Sequence, residues 1–321
     1  MSFASEVRKE LSRTRTEHEN YIRSEVAAAL LSLNAVSFRG KNRFSVSFTV
    51  DSAAVVRYFF SQIKNQYGIV CQIHTTRSSQ LNHRLRYRLI VPDEQARELL
   101  EKLDMLDPKS LFGFRIGASR AMMAGEGCSE AFLKGAFMVC GSVTNPEKAY
   151  HMEFAPVSET VADNIVSILR NFEIEVKKTC RKSQYVVYLK ESERIVDLLT
   201  RIGAYKATLE MENIRVQKQV FNLVNRQMNC DANNIKRTMD TSLAQIRDIE
   251  YIDEQIGLDK LPQSLRDMAI VRRNNPATSL AGLGEMLEPP IGKSGVNNRL
   301  RRLTAIADQL RRGDDVELCC R

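Results

Sequence analysis

Lys293, Asn297, Asn298, Arg299, Arg301 and Arg302 lie within ten consecutive positions near the C-terminus. An asparagine carboxamide matches the hydrogen-bonding edge of adenine, and an arginine guanidinium matches the edge of guanine or a backbone phosphate. The chemistry such a set can do is recognition of double-stranded DNA, with Ser279, Ser294 and Gly295 beside it at the starts of two helices. Residues 74–92 hold Arg77, Arg84, Arg86 and Arg88 and no acid, and residues 176–190 hold Lys177, Lys178, Arg181, Lys182 and Lys190 and no acid. Arg84, Arg86, Arg88, Lys177, Lys178, Arg181 and Lys182 are therefore candidates for sequence-tolerant phosphate contact. A strand edge kept basic against aggregation is the competing explanation. No nucleophile–base pair, phosphate loop or cofactor fingerprint occurs. The seven Cys form no C-x-x-C pair and only four His are present, so neither a metal nor a cofactor is expected.

A compact three-helix module must hold the C-terminal set. Ser264 to Arg273 reads as its first helix, ended by Asn274-Asn275-Pro276. Thr278 or Ser279 caps a second, whose Leu280, Leu283 and Leu287 fall on one face. Pro289-Pro290 enforces the exit and Ile291 packs inward from the turn. Ser294 is the expected cap of the third helix, which turns Val296, Leu300 and Leu303 inward and the six polar residues outward. Residues 262–312 carry nine basic and four acidic side chains, a local excess of about five positive charges.

Upstream, the order helix, strands, helix, hairpin, helix is written twice. The first copy has an Ala-rich helix from Tyr21 to Leu33, the alternating strand Phe44 to Val50 and a helix capped by Ser52 and stopped by Gly68. A hairpin at Ile69–Thr76 and Leu85–Val91 and a helix from Asp93 to Leu103 complete it. About a hundred residues later come a helix Cys128–Val139, a strand Tyr150–Ala155 and a helix capped by Ser158. A hairpin at Glu173–Thr179 and Tyr185–Leu189 and a helix Glu193–Ile202 follow. Ala27, Ala28 and Ala29 in one leading helix and Gly135 and Ala136 in the other allow the two to pack closely.

Phe132-Leu133-Lys134-Gly135-Ala136-Phe137-Met138-Val139-Cys140-Gly141-Ser142 resembles the LAGLIDADG motif of homing endonucleases. That resemblance implies two helices packed at an interface, each ending in an acid that holds divalent metal. Here the acid positions fall on Asn34 and Cys140, so the catalytic residues are absent and no enzyme is expected. The chain as a whole resembles the WhiA family, on Cys128–Phe154, Asn225–Ile252 and Ser279–Leu303. The first-copy helix departs from that family, with Ala35-Val36 where Gly-Ser is usual. The resemblance implies an α+β fold: a duplicated LAGLIDADG homing-endonuclease-like N-terminal domain followed by an all-α helix-turn-helix domain. It also implies a role in cell division and chromosome segregation, with sporulation in species that sporulate.

The expected boundaries are an N-terminal helix at 1–20 and a tandem domain at 21–205, with repeats about 21–105 and 126–205. A linker helix at 206–228, a helical DNA-binding domain at 229–313 with the helix-turn-helix at about 278–311, and a tail at 314–321 follow. The net charge of +8 favours an acidic polymer as partner. An odd Cys count, no apolar leader and no run long enough to span a membrane point to a cytoplasmic, nucleoid-associated protein. The expected activity is sequence-specific binding of double-stranded DNA for transcription regulation. The alternatives are a metal-dependent endonuclease, and a scaffold for division or regulatory proteins with DNA contact secondary.

Overall fold

The computed structural model of the chain describes residues 2–40, 43–77, 85–181 and 184–313. Arg84 and Lys182, and the tail with Cys319 and Cys320, lie outside the described residues. Two compact units divide at Lys218 and Gln219.

The first unit opens with α1 (Phe3–Leu11), shorter than the helix expected at 1–20. Then one arrangement occurs twice. The first copy is α2 (Glu19–Ser32), β1 (Val36–Phe38), β2 (Phe44–Val50), α3 (Ala53–Tyr67), β3 (Gln72–Arg77), β4 (Leu85–Val91) and α4 (Asp93–Lys102). The second is α5 (Gly125–Cys140), β5 (Gly141–Val143), β6 (Met152–Phe154), α6 (Glu159–Asn171), β7 (Lys177–Arg181), β8 (Gln184–Leu189) and α7 (Ser192–Arg201). The sheet orders match, β1-β2-β4-β3 and β5-β6-β8-β7, all antiparallel. Strand alternation puts Val46, Phe48, Val50 and Leu89 on the helix side of the first sheet, and Phe48 meets Phe59 of α3 edge to face. Ser52 caps α3 through a 3.4 Å bond from the Val55 amide, while Ser158 occupies the cap position of α6 without such a bond.

The leading helices α2 and α5 pack along each other as their small residues require. Ala27, Ala28, Ala29 and Ala136 are fully buried, and a methyl added at Gly135 would run into the Glu25 carbonyl. Inside this seam Lys134 Nζ lies 2.9 Å from Glu25 Oε1 and donates to Thr14 O, Thr16 Oγ1 and Tyr58 OH at 3.0, 2.9 and 3.1 Å. Tyr58 in turn donates to Glu25 and accepts from Gln62 Nε2 at 3.0 Å. Every donor of the buried ammonium is satisfied, which is what makes its burial tolerable.

Residues expected as a linker helix and a separate helical segment form one continuous helix, α8 (Tyr205–Ile256). No Gly or Pro falls between Gly203 and Gly257, so nothing in the chain interrupts it. The second unit adds α9 (Gln263–Asn274), α10 (Leu280–Glu285) and α11 (Lys293–Arg312). Its core joins Ile249 and Ile252 of α8, Leu265 and Met268 of α9, Leu283 and Leu287, and Val296, Leu300, Leu303 and Ala307 of α11. Asp248 of α8 is buried and pairs with Arg311 of α11 at 2.7 Å. Among the described residues no helix is long and apolar enough to cross a membrane.

Candidate nucleic-acid interface

The turn before α11 is held by α10. The Ile291 amide donates to Gly284 O at 3.0 Å, and a side chain at Gly284 would strike the Ile291 carbonyl. Ser279 caps α10, its hydroxyl accepting the Gly282 amide at 3.2 Å. Gly292, not Ser294, is the cap residue of α11, and Ser294 stands exposed inside the first turn. A glycine at 295 lets the helix pass close to Ile291.

Helical spacing sorts the candidate residues into rows. Lys293, Asn297 and Arg301 form one row, and Ser294, Asn298 and Arg302 form the next. Lys293, Ser294, Asn298, Arg301 and Arg302 are exposed and Asn297 is half-buried. None of these six side chains has an internal hydrogen-bond or ion-pair partner among the described residues. Arg299 departs from the sequence expectation. It sits on the opposite flank of α11 and donates to Ser264 O of α9 at 3.4 Å, so it ties helix to helix.

Beside the first row lies a cleft of about 390 Å³ lined by Arg237, Thr238, Thr241, Arg272, Thr278, Ser279, Lys293 and Asn297. Arg272 is 2 % exposed, donates to Thr278 O at 2.9 Å and has no carboxylate partner among the described residues. Burial lowers its pKa from the usual value. Arg237 and Arg272 were not singled out in the sequence. Nothing local in the sequence marks either of them.

On the first unit the basic hairpins behave differently. Arg86 pairs with Asp51 at 3.2 Å and Arg88 donates to Ser47 Oγ at 2.9 Å, both on the face of the sheet away from α3. Lys178 is directed the other way. It stands opposite buried Val187 and reaches Glu159 and Asp163 of α6 at 3.2 and 2.5 Å, and those hydrogen bonds raise its pKa, Asp163 most. That placement withdraws it from the expected phosphate set. Lys177 and Arg181 are exposed on the outer face. Leu85, at the start of β4, is 43 % exposed.

The two positions matched to metal-holding acids are not equivalent in backbone. Asn34 lies beyond the end of α2 with φ 50°, closing the helix by bonds from its own amide to Leu31 O and from Ala35 N to Leu30 O. Asparagine is one of the few residues that tolerates this left-handed turn, which accounts for its presence. Cys140 is the last residue of α5. Burial pushes its thiol up to about 11, against the pull of the nearby Arg8 charge. Arg8 of α1 donates to Gly141 O at 2.5 Å, and Asp51 and Cys140 oppose the lowering that burial imposes on it. A divalent cation needs hard, ionised oxygen donors. An exposed carboxamide, a protonated thiol and a guanidinium do not fit one. Sequence reading missed Arg8, which bonds the Gly141 carbonyl 133 positions away in the chain and gives no local sign of doing so.

Three family models match the chain in order: the "WhiA N-terminal LAGLIDADG-like domain" over 19–106, the "WhiA LAGLIDADG-like domain" over 129–221 and the "WhiA C-terminal HTH domain" over 224–307. The chain is 41 % identical over 313 residues to the "Probable cell division protein WhiA" of Thermoanaerobacter sp. (strain X514), covering 97 % of this chain and 98 % of that protein. This chain belongs to the WhiA family. A second protein of that printed name, from Caldicellulosiruptor saccharolyticus, is 38 % identical over 315 residues, covering 98 % of this chain and 97 % of its own. The "full-length DUF199/WhiA from Thermatoga maritima" shares the fold, with a TM-score of 0.60 and 24 % identity across 96 % of this chain and 99 % of that one. The duplicated LAGLIDADG-like fold and the helix-turn-helix expected from the sequence are thus those of a WhiA chain.

Proposed function

We propose that this WhiA chain binds double-stranded DNA sequence-specifically through α11 and regulates transcription in cell division and chromosome segregation, in the cytoplasm on the nucleoid. Sporulation, in species that sporulate, belongs to the same reading. The helix-turn-helix description of the matching family model and the cell-division names of the relatives support it. The single observation that carries it is the pair of rows on α11, whose Asn and cationic side chains are presented without internal partners. Asn297 and Asn298 near the helix start are assigned to base edges, and Arg301 and Arg302 to bases or phosphates. Arg237 borders the same row and is assigned to phosphate, while buried Arg272 holds Thr278 O beneath it. Residues 229–313 are the DNA-binding domain in this reading.

Nuclease activity is no part of the proposal, because the residues at Asn34, Cys140 and Arg8 do not suit a metal-bound phosphate cut. The test is fluorescence anisotropy on a duplex obtained by in vitro selection with the full chain. The R301E/R302E variant is expected to lose at least about a hundredfold in affinity, from two reversed charges beside phosphate. Unchanged affinity would overturn the assignment of α11.

A further inference from the structure

The first unit carries a second cationic concavity that DNA recognition by α11 does not use. It has a volume of about 730 Å³ and lies where the connector after α1 crosses α3. Lys9, Arg13, Arg15 and Arg57 line it, and Glu17 is its one acid. Arg13, Arg15 and Arg57 are exposed. Among the described residues none of the four cations has an ion-pair partner; Arg57 is engaged only through Nε, with Ala53 O at 3.1 Å. Four positive charges gathered in a hollow repel one another, and an anion in the hollow relieves that repulsion.

The floor is polar and already ordered. Thr16, Tyr58 and Gln62 reach it, and Tyr58 and Gln62 are 7 % and 8 % exposed. All three belong to the hydrogen-bonded cluster around Lys134 and Glu25. Ser61, Asn65 and Gln66 add hydroxyl and amide groups from α3. A site whose floor is fixed before a ligand arrives loses little entropy on binding.

The location separates this site from the sheets. Phe59 of α3 packs on Phe48, so the sheet lies on one side of α3 while Arg57 and Ser61 are exposed on another. Arg86 and Arg88 occupy the far face of that sheet. A duplex laid along the outer sheet face would leave the concavity open. Its size is that of a small-molecule site rather than of a groove that tracks a backbone.

We infer that this concavity binds a polyphosphate-bearing small molecule, with Arg13, Arg15 and Arg57 taking the phosphate oxygens and the Tyr58–Gln62 floor setting the depth. The inference stands apart from the assignment of α11 to DNA.

The full chain is titrated calorimetrically with three probes: inorganic phosphate, tripolyphosphate and ATP. Tripolyphosphate and ATP are expected to bind at one site per chain and inorganic phosphate far more weakly, since it brings fewer negative charges to set against the four cations. Tighter binding of ATP than of tripolyphosphate identifies a nucleotide as the ligand; equal binding identifies the polyphosphate group alone. The R13S/R15S/R57S variant should lose about tenfold per arginine removed. The same variant should keep wild-type thermal melting without ligand and wild-type binding to the selected duplex. Absence of binding by both tripolyphosphate and ATP overturns the inference, as does binding that survives the triple substitution.

Discussion

The basic face of α11 and the basic hairpins of the first unit differ less in how many cations they carry than in what those cations already hold. On α11 the rows Lys293–Asn297–Arg301 and Ser294–Asn298–Arg302 face neighbours that offer no carboxylate. On the first unit Arg86 holds Asp51, Arg88 holds Ser47, and Lys178 crosses to the acids of α6. A run of basic residues in a sequence states composition. Whether the charge is available is decided by strand pairing, which puts residues of alternate parity on opposite faces and can turn a lysine inward.

The sharpest way to break this comparison is the salt dependence of duplex binding. R301S/R302S should reduce the slope of log affinity against log salt by about 2, because each phosphate contact contributes roughly 0.9. R86S/R88S should reduce it by far less, since both side chains have internal partners. Equal reductions would show that the sheet is as much a phosphate-binding surface as α11.

A smaller effect separates Arg299 from its neighbours. R299A should leave duplex affinity nearly unchanged while lowering the melting stability by about 1 kcal/mol, the usual worth of one side-chain hydrogen bond. Thermal melting and anisotropy on the same sample check it. A loss of affinity as large as that of R301S would return Arg299 to the reading face.

The smallest effect concerns the first unit at high pH. Burial raises the thiols of Cys71 and Cys140 from 9.0 to about 11. Between those values the folded chain keeps protons that the unfolded chain releases, so stability falls as pH rises from 9 to 11. The C71A/C140A variant should show a shallower fall over that range in denaturant titrations. At pH 8, alkylation should reach exposed Cys180 and Cys230 well before Cys140.

Much of the fold was legible because it is periodic. The alternating strand at Phe44–Val50, the caps at Ser52 and Ser279, and the 3-and-4 spacing of Val296, Leu300 and Leu303 are local signals, and each was read at its place. The unbroken α8 was missed because residues 225–234 are mostly polar and exposed all round, so the apolar rhythm that marks a helix fades there. The outward direction of the candidate residues on α11 was legible from helical spacing, with the exception of Arg299, whose direction depends on where α9 lies. Arg8 and Arg272 owe their positions to contacts remote in sequence or to burial, neither of which a window of residues reports. Lys134 did leave a trace: a single ammonium in the apolar run Ala131–Val139, with a single carboxylate, Glu25, ahead of Val26–Leu31.

That pair also decides which halves can associate. The carboxylate belongs only to the first copy and the ammonium only to the second. A dimer of first copies would enclose two anions, and a dimer of second copies two cations, each lacking its counter-charge. Leaving one such charge uncompensated costs about 3–5 kcal/mol. The duplicated halves have therefore become complementary rather than interchangeable, and a chain carrying either one twice should not assemble.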